Sequence, residues 1–302
     1  MSLTPDLTDL HPERAPQIPS RQLRLLEASE QIEQHPGEIA FSTRIWAQLS
    51  LPYRDPGPAA GLWTRRNGDT TVTLSPGPAG HPYGVVARSL LTWMSTQAVR
   101  TKSRVLDPGP SLRTFLRALG TSTSGASQRR VMDQLRRLST TSVLIETTRQ
   151  QPGKKTISGQ NFHVAHKYEL TYQKSGHNSA IIELSEDYYQ EVLRSPVPIL
   201  TSALGALGGS PMRQDMYVWL CYRMATLQNP TTVSWAQLSA QFGADYRQLR
   251  QFKAAFVKNL EYVKVIYPQA KVTVSDSGLR LHRSPTHVPR AAHRSRELRA
   301  VS

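Results

Sequence analysis

The segment SWAQLSAQFGADYRQLRQFKAAFVKNLEYVKVIYP, from Ser234 to Pro268, reads as two helices separated by a three-residue break. Ser234 is a favoured N-cap residue, and Gln237 three positions on completes a capping box. Trp235, Leu238 and Phe242 then share one side of the short helix that follows. Gly243 is expected to end it through a left-handed residue, and Asp245 to cap the next helix. At 100° per residue, Leu249, Phe252, Phe256, Leu260 and Val263 form a narrow apolar stripe on that second helix. Arg247, Gln251 and Lys258 fall opposite the stripe, Arg250 and Glu261 on a flank, and Lys253 near the apolar edge. Two packed helices joined by a short turn containing Gly are the helix-turn-helix pattern. The outward guanidinium, ammonium and amide groups suit phosphate oxygens and base edges in a major groove.

The rest of the chain agrees with an anionic partner. Its 302 residues carry 37 Lys+Arg against 22 Asp+Glu, a formal net charge of +15. Charge of that size attracts polyanions, either nucleic acid or an anionic membrane. A hydrophobic fraction of 38% with 20% charged residues is enough to bury a core. No apolar run reaches the ~18 residues that span a membrane, and the N-terminus MSLTPDLTDLHPERAP has no signal-peptide core. Cys221 is the single cysteine, so neither an internal disulfide nor a multi-Cys zinc site is available. The expectation is a cytoplasmic, nucleoid-associated protein that binds double-stranded DNA, with no membrane partner and no cofactor.

The order of elements along the chain is read as follows. A helix over Arg21–Gln34 stops at His35-Pro36-Gly37. Asn67-Gly68 between short β-prone runs signals a hairpin with a type I′ turn. Helices are expected at Tyr83–Arg100, at SLRTFLRALG up to the stop at Gly120, and at SQRRVMDQLRRL, where Val131, Leu135 and Leu138 form a stripe. Strands are expected at Ser142–Thr148, Phe162–Tyr172 and Ser179–Leu184, with RQQPGKKTISGQN a polar loop between the first two. SEDYYQEVLRS returns to helix, and Pro196–Pro198 reads as a linker. The second half repeats the order, with an apolar helix over Gln214–Leu227, the opening segment, and a strand–turn–strand at Lys271–His282. Long helix, short helix, basic helix and β-hairpin thus occur twice, which is the order of a winged helix–turn–helix domain.

The predicted fold class is therefore α+β, with tandem winged-helix domains. Residues 1–37 are read as a flexible arm and short helix, 38–195 as the N-terminal winged-helix domain and candidate dimerisation unit, 196–290 as the C-terminal one, and 291–302 as a basic disordered tail. In the first copy the helix after TSTSGAS is expected to turn Arg129, Arg130, Arg136 and Arg137 outward. Its small hydroxyl residues suit the placement of backbone N–H groups on a phosphate. Lys154 and Lys155 are assigned to a wing tip. With Arg247, Arg250, Gln251, Lys253 and Lys258 they complete the candidate DNA-binding set.

Five ordered blocks carry a family resemblance: PYGVVARSLLTWMSTQAVRTKS (Pro82–Ser103), LSEDYYQEVLRSPVPI (Leu184–Ile199), SPMRQDMYVWLCYRM (Ser210–Met224), SWAQLSAQFG and GLRLHRSPTHV (Gly278–Val288). Over about Pro82 to Val288 the chain resembles plasmid-encoded RepA-type replication initiators. The resemblance implies tandem winged-helix domains that bind repeated origin sites (iterons), help open the duplex, and recruit a host initiator and helicase. It also implies a homodimer that represses its own gene beside a monomer that starts replication. TSTSGASQRR departs from the corresponding family block in lacking extra glycines.

Enzymatic readings are weaker. A nicking initiator needs a nucleophilic tyrosine and a His-x-His metal pair. His163 and His166, three apart on a strand, face opposite sides, and Tyr188 and Tyr189 suit helix packing. PGKKT lacks the glycine and the hydroxyl of a phosphate loop. No catalysis is expected. A winged-helix transcriptional regulator without a replication role is the alternative to an initiator.

Overall fold

The computed structural model describes residues 20–109, 111–172, 178–243 and 246–289; the arm before residue 20, the extreme C-terminal tail and the Asp245 cap lie outside them. The chain opens with α1 (Ser20–Gln34), β1 (Ile39–Thr43) and α2 (Arg44–Gln48), then the hairpin β2 (Trp63–Asn67) and β3 (Thr70–Ser75). There follow α3 (Gly84–Thr101), β4 (Val105–Leu106), α4 (Leu112–Ala118), α5 (Gly125–Ser139), β5 (Ser142–Gln151), β6 (Lys154–His163), β7 (Ala165–Thr171), β8 (Ser179–Leu184) and α6 (Glu186–Arg194). The second half comprises β9 (Pro196–Leu200), α7 (Thr201–Ala206), α8 (Pro211–Thr226), β10 (Thr231–Ser234), α9 (Trp235–Phe242), α10 (Leu249–Ile266), β11 (Val272–Val274) and β12 (Gly278–Leu281). Helix, helix, helix and hairpin therefore recur as α3, α4, α5, β5–β6 and as α8, α9, α10, β11–β12.

The strands form four antiparallel groups, β1-β9, β2-β3-β5-β6, β4-β8-β7 and β10-β12-β11. Three local expectations are corrected here. The polar stretch read as a loop is a ten-pair ladder from Ser142↔His163 to Gln151↔Lys154. It carries no apolar alternation because nearly all of β6 is exposed, so no core face imprints a period. Pro196–Pro198, read as a linker, lies in β9, where the two prolines are alternate residues of a two-stranded pair and their missing N–H groups are tolerated. In the β2–β3 turn Asn67 pairs with Thr70, and of the two loop residues only Gly68 has positive φ, +59°. That is the pattern of a type II′ turn, whose first central residue is glycine, rather than type I′.

The two halves share one core. Arg88 on α3 meets Asp215 on α8 through a bidentate pair, Nε–Oδ1 2.6 Å and Nη2–Oδ2 2.7 Å, both residues being buried. The remaining guanidinium hydrogens go to the carbonyls of Leu51 (2.9 Å), Pro52 (3.3 Å) and Gly84 (2.8 Å). Burial pushes the Asp215 carboxyl up, and Arg88 opposes that shift. Ser50 beside this loop donates to the Gln241 carbonyl of α9 at 2.7 Å and accepts from Trp63 Nε1 at 3.2 Å through its own carbonyl. The C-terminal helices are thereby held against β2 and α2. At the other end α1 buries Leu25 and Ile32 and reaches α10, with Ser29 Oγ donating to the Val265 carbonyl at 2.6 Å.

The segment after β12 returns to the core. His287 stacks on Tyr267 at 4.5 Å, and its Nδ1 lies 2.9 Å from the Tyr217 hydroxyl, which itself accepts from Leu200 N–H at 3.1 Å. Burial lowers the imidazole to about 4.

Two measurements check this account. Asp215→Ala leaves Arg88 buried without its carboxylate and is expected to destabilise by ~3–5 kcal/mol, and an apolar replacement of both partners recovers only part of the loss because the Leu51, Pro52 and Gly84 carbonyls lose their donor; urea unfolding measures both. The unfolded chain binds a proton at His287 near the ordinary 6.5 and the folded chain only near 4. Stability should thus fall by up to ~3 kcal/mol as pH drops from ~6.5 to ~4 and change no further from this group below that. His287→Phe keeps the stack and should flatten that part of the pH profile.

Candidate nucleic-acid interface

Around α9 and α10 the local chemistry explains the two-helix unit. Ser234 Oγ accepts from Gln237 N–H at 3.2 Å and Gln237 Oε1 from Ser234 N–H at 2.9 Å, the reciprocal capping box. Trp235, Leu238 and Phe242 are buried, and Phe252, Phe256, Leu260, Val263 and Ile266 form the buried stripe of α10. Edge-to-face rings lock the two together, with Trp235–Phe256 at 5.9 Å and Phe242–Phe256 at 5.6 Å, and Trp219 of α8 meets Phe242 at 5.6 Å.

Two details differ from the sequence reading. Gly243 has φ −94°, so it is not a left-handed exit; it is required because a Cβ there would lie 2.6 Å from Ser239 Oγ and 2.7 Å from its carbonyl oxygen. Leu249 is 49% exposed, because it is the first residue of α10 and lies ahead of the turn that Phe252 anchors.

Opposite the stripe, Arg247, Arg250, Gln251 and Lys258 are all exposed. Among the described residues, Arg250 and Lys258 have no ion-pair partner. Lys253 is placed differently. Its ammonium lies 5.1 Å over the Trp235 ring and 3.8 Å from Asp276 in the β11–β12 turn. A shallow groove of about 620 Å³ runs between α10 and this turn, bordered by Arg250, Lys253, Lys258 and Glu261 on one side and Val274 and Asp276 on the other.

In the first half, Ser124 caps α5 by accepting from Ser127 N–H at 3.2 Å, and Ser122, Ser124 and Ser127 join their hydroxyls into an exposed cluster. Val131, Met132, Leu135 and Leu138 are buried, while Arg129, Arg130 and Arg136 are exposed.

Arg137 departs from the expected outward set. Its side chain is only 14% exposed and is bound to Asp55 at 3.1 Å, to Asp133 at 2.9 Å and to the His81 carbonyl at 3.0 Å, over the Tyr83 ring. These partners raise its pKa against the opposing effect of burial. The helix period places Arg137 beside Arg136, but the two loops that flank the β2–β3 hairpin, carrying Asp55 and His81, complete its internal pairing.

Lys154 and Lys155 are exposed at the far end of the β5–β6 ladder, beside the Pro152-Gly153 turn. Two further exposed cations, Arg113 and Arg117, lie on α4 opposite buried Leu112, Phe115 and Leu116; the amphipathic period of that helix is the signal that locates them.

The residues considered for strand nicking differ in exposure. The Tyr188 hydroxyl is buried against Trp46 Nε1 at 2.9 Å and burial pushes it up to about 12, whereas His163 and His166 are exposed. Among the described residues no group of three His, Cys, Asp or Glu is placed to hold a metal ion, and no helix is long and apolar enough to cross a membrane.

Comparison with known proteins agrees with the fold and the sequence blocks. No curated protein sequence matches the chain. The crystal structure of a selenomethionine derivative of domains 2 and 3 of RctB is similar in fold, with a TM-score of 0.53 at 10% identity over 80% of this chain and 98% of that one. A second structure of RctB domains 2–3 gives a TM-score of 0.47 at 11% identity, over 78% and 93%. The family model of plasmid encoded RepA proteins matches residues 81–237, more than half of the chain and both sides of the shared core. With the ordered blocks from Pro82 onward, this match places the chain in the family of plasmid-encoded RepA proteins, the RepA-type replication initiators.

Proposed function

We propose that this initiator binds iteron-type repeats in double-stranded origin DNA through two winged-helix units, α3–β6 and α8–β12. The observation that carries the reading is the outer face of α10. Arg250, Gln251 and Lys258 are exposed over a buried Phe252/Phe256 stripe, so the helix is held rigidly and displays donors only on the solvent side. That arrangement suits a recognition helix in a major groove, with Arg247 at its start. On α5, Arg129, Arg130 and Arg136 supply the equivalent face. Lys154 and Lys155 extend it along the hairpin. A net charge of +15 adds sequence-independent attraction.

Within this reading the bound protein promotes origin opening and recruits a host initiator and helicase, with a homodimer as a second state. The chemistry is binding and deformation rather than bond cleavage. A regulator that only represses a promoter is separated by a plasmid carrying the gene and its flanking repeats. Autonomous replication in a host lacking another initiator supports the initiator, and repression without replication supports the regulator.

In quantitative binding, Arg247→Ala and Arg250→Ala are each expected to cost ~1–3 kcal/mol if they reach base edges. Unchanged affinity in both would remove α10 from the interface. Arg137→Ala should instead lower unfolding stability and leave the affinity of the folded fraction nearly intact. Wild-type affinity should fall ~10³-fold between 50 and 200 mM salt for ~6 neutralised phosphates. A footprint of ~20 bp is expected for two helices in successive grooves, and protection of a single turn would contradict that geometry.

A further inference from the structure

The β5–β6 hairpin outruns the sheet that carries it. β3 pairs with β5 only as far as Thr70↔Thr147, and the last link from that side is Thr148 N–H to the Asp69 carbonyl at 2.9 Å. Beyond it Arg149–Gln151 pair only with Lys154–Thr156, as a free two-stranded ribbon closed by Pro152-Gly153, with Thr148 and Ile157 at its base. Three residue pairs at ~3.3 Å each extend the ribbon by ~10 Å. That exceeds the ~8.5 Å depth of a B-DNA major groove, whose ~12 Å width admits a two-stranded ribbon.

The two faces of the ribbon differ chemically. Register puts Thr148 opposite Ile157 and Gln150 opposite Lys155 on one face, and Arg149 opposite Thr156 and Gln151 opposite Lys154 on the other. The ribbon has three cations, Arg149, Lys154 and Lys155, and no acid. Ile157 is 56% exposed, on an edge strand where an exposed branched apolar side chain is a self-pairing liability. Strand propensity and the cross-strand Thr148 suit an isoleucine there, but its outer surface stays in solvent, open to a partner.

We propose that the Gln150/Ile157 face of this ribbon reads A·T pairs in the major groove. The Gln150 amide pairs with adenine N6 and N7, and the Ile157 and Thr148 methyl groups pack on the thymine C5-methyl. Arg149 and Lys154 on the opposite face hold phosphate oxygens. This assignment rests on the DNA-binding reading above and adds a base-specific role for residues outside the helices.

The test uses the full chain and the duplex it selects from a random-sequence pool, prepared either with thymine or with uracil, which lacks the methyl group. Ile157→Ser is expected to weaken binding to the thymine duplex by ~5-fold and to the uracil duplex by less than ~1.5-fold, in the range of one base-edge contact. Its salt slope should be unchanged because no charge is lost, whereas Lys154→Ala should reduce the slope by ~0.9. Gln150→Ala should relax the preference for adenine at one position of the selected site. Equal weakening of both duplexes by Ile157→Ser, or no weakening of either, overturns the proposal. Loss of a dimer in sedimentation with unchanged base preference also overturns it and assigns Ile157 to self-association. Failure of the wild type to select any duplex is a separate result, which removes the DNA-binding reading itself.

Discussion

The buried pair of Arg88 and Asp215 is the constraint on which the rest of this fold depends. Removing two charges from water is costly, and the cost is offset only if every donor and acceptor is satisfied. Here the carboxylate takes two guanidinium hydrogen bonds, and the carbonyls of Leu51, Pro52 and Gly84 take the others. These partners come from α3, from the loop after α2 and from α8. No half of the chain supplies them alone, so the pair is satisfied only when both halves are assembled.

Ser50 and Trp63 extend the same junction to α9, and α1 closes on α10 from the other side. The C-terminal two-helix unit is consequently packed against the N-terminal half over much of its inner surface. Its aromatic cluster holds α10 by one face and leaves the opposite face in solvent.

The cations of this chain fall into two groups. Arg88 and Arg137 are consumed by internal carboxylates and carbonyls and act as structural members. Arg129, Arg130, Arg136, Arg250 and Lys258, with Lys154 and Lys155, remain on the outside. Internal pairing thus removes Arg88 and Arg137 from the exposed cations of a strongly basic RepA-family chain. Substitution of the buried pair is expected to lower stability, and substitution of the exposed group to leave the fold intact.

Much of this was legible in the sequence because it is governed by local periodicity and capping. The capping box at Ser234, the Phe252/Phe256 stripe, the α5 stripe of Val131, Leu135 and Leu138, and the twice-repeated order of helices and hairpin all depend on contacts a few residues apart. The extent of β6, the strand character of Pro196–Pro198, the need for Gly243 and the internal fate of Arg137 depend on partners that the chain brings in from a distance or across a turn. A solvent-facing ribbon such as Lys154–Ile157 has no buried face to impose a pattern on its residues, so composition alone reads it as loop. Sequence determined the longer helices and most of the side each one buries, but not the short α2 and α7, which have too few turns to show a period. Tertiary structure decided which arginines stay outside, because, beyond the local Asp133–Arg137 pair, that choice is made by carboxylates and carbonyls contributed by other segments of the fold.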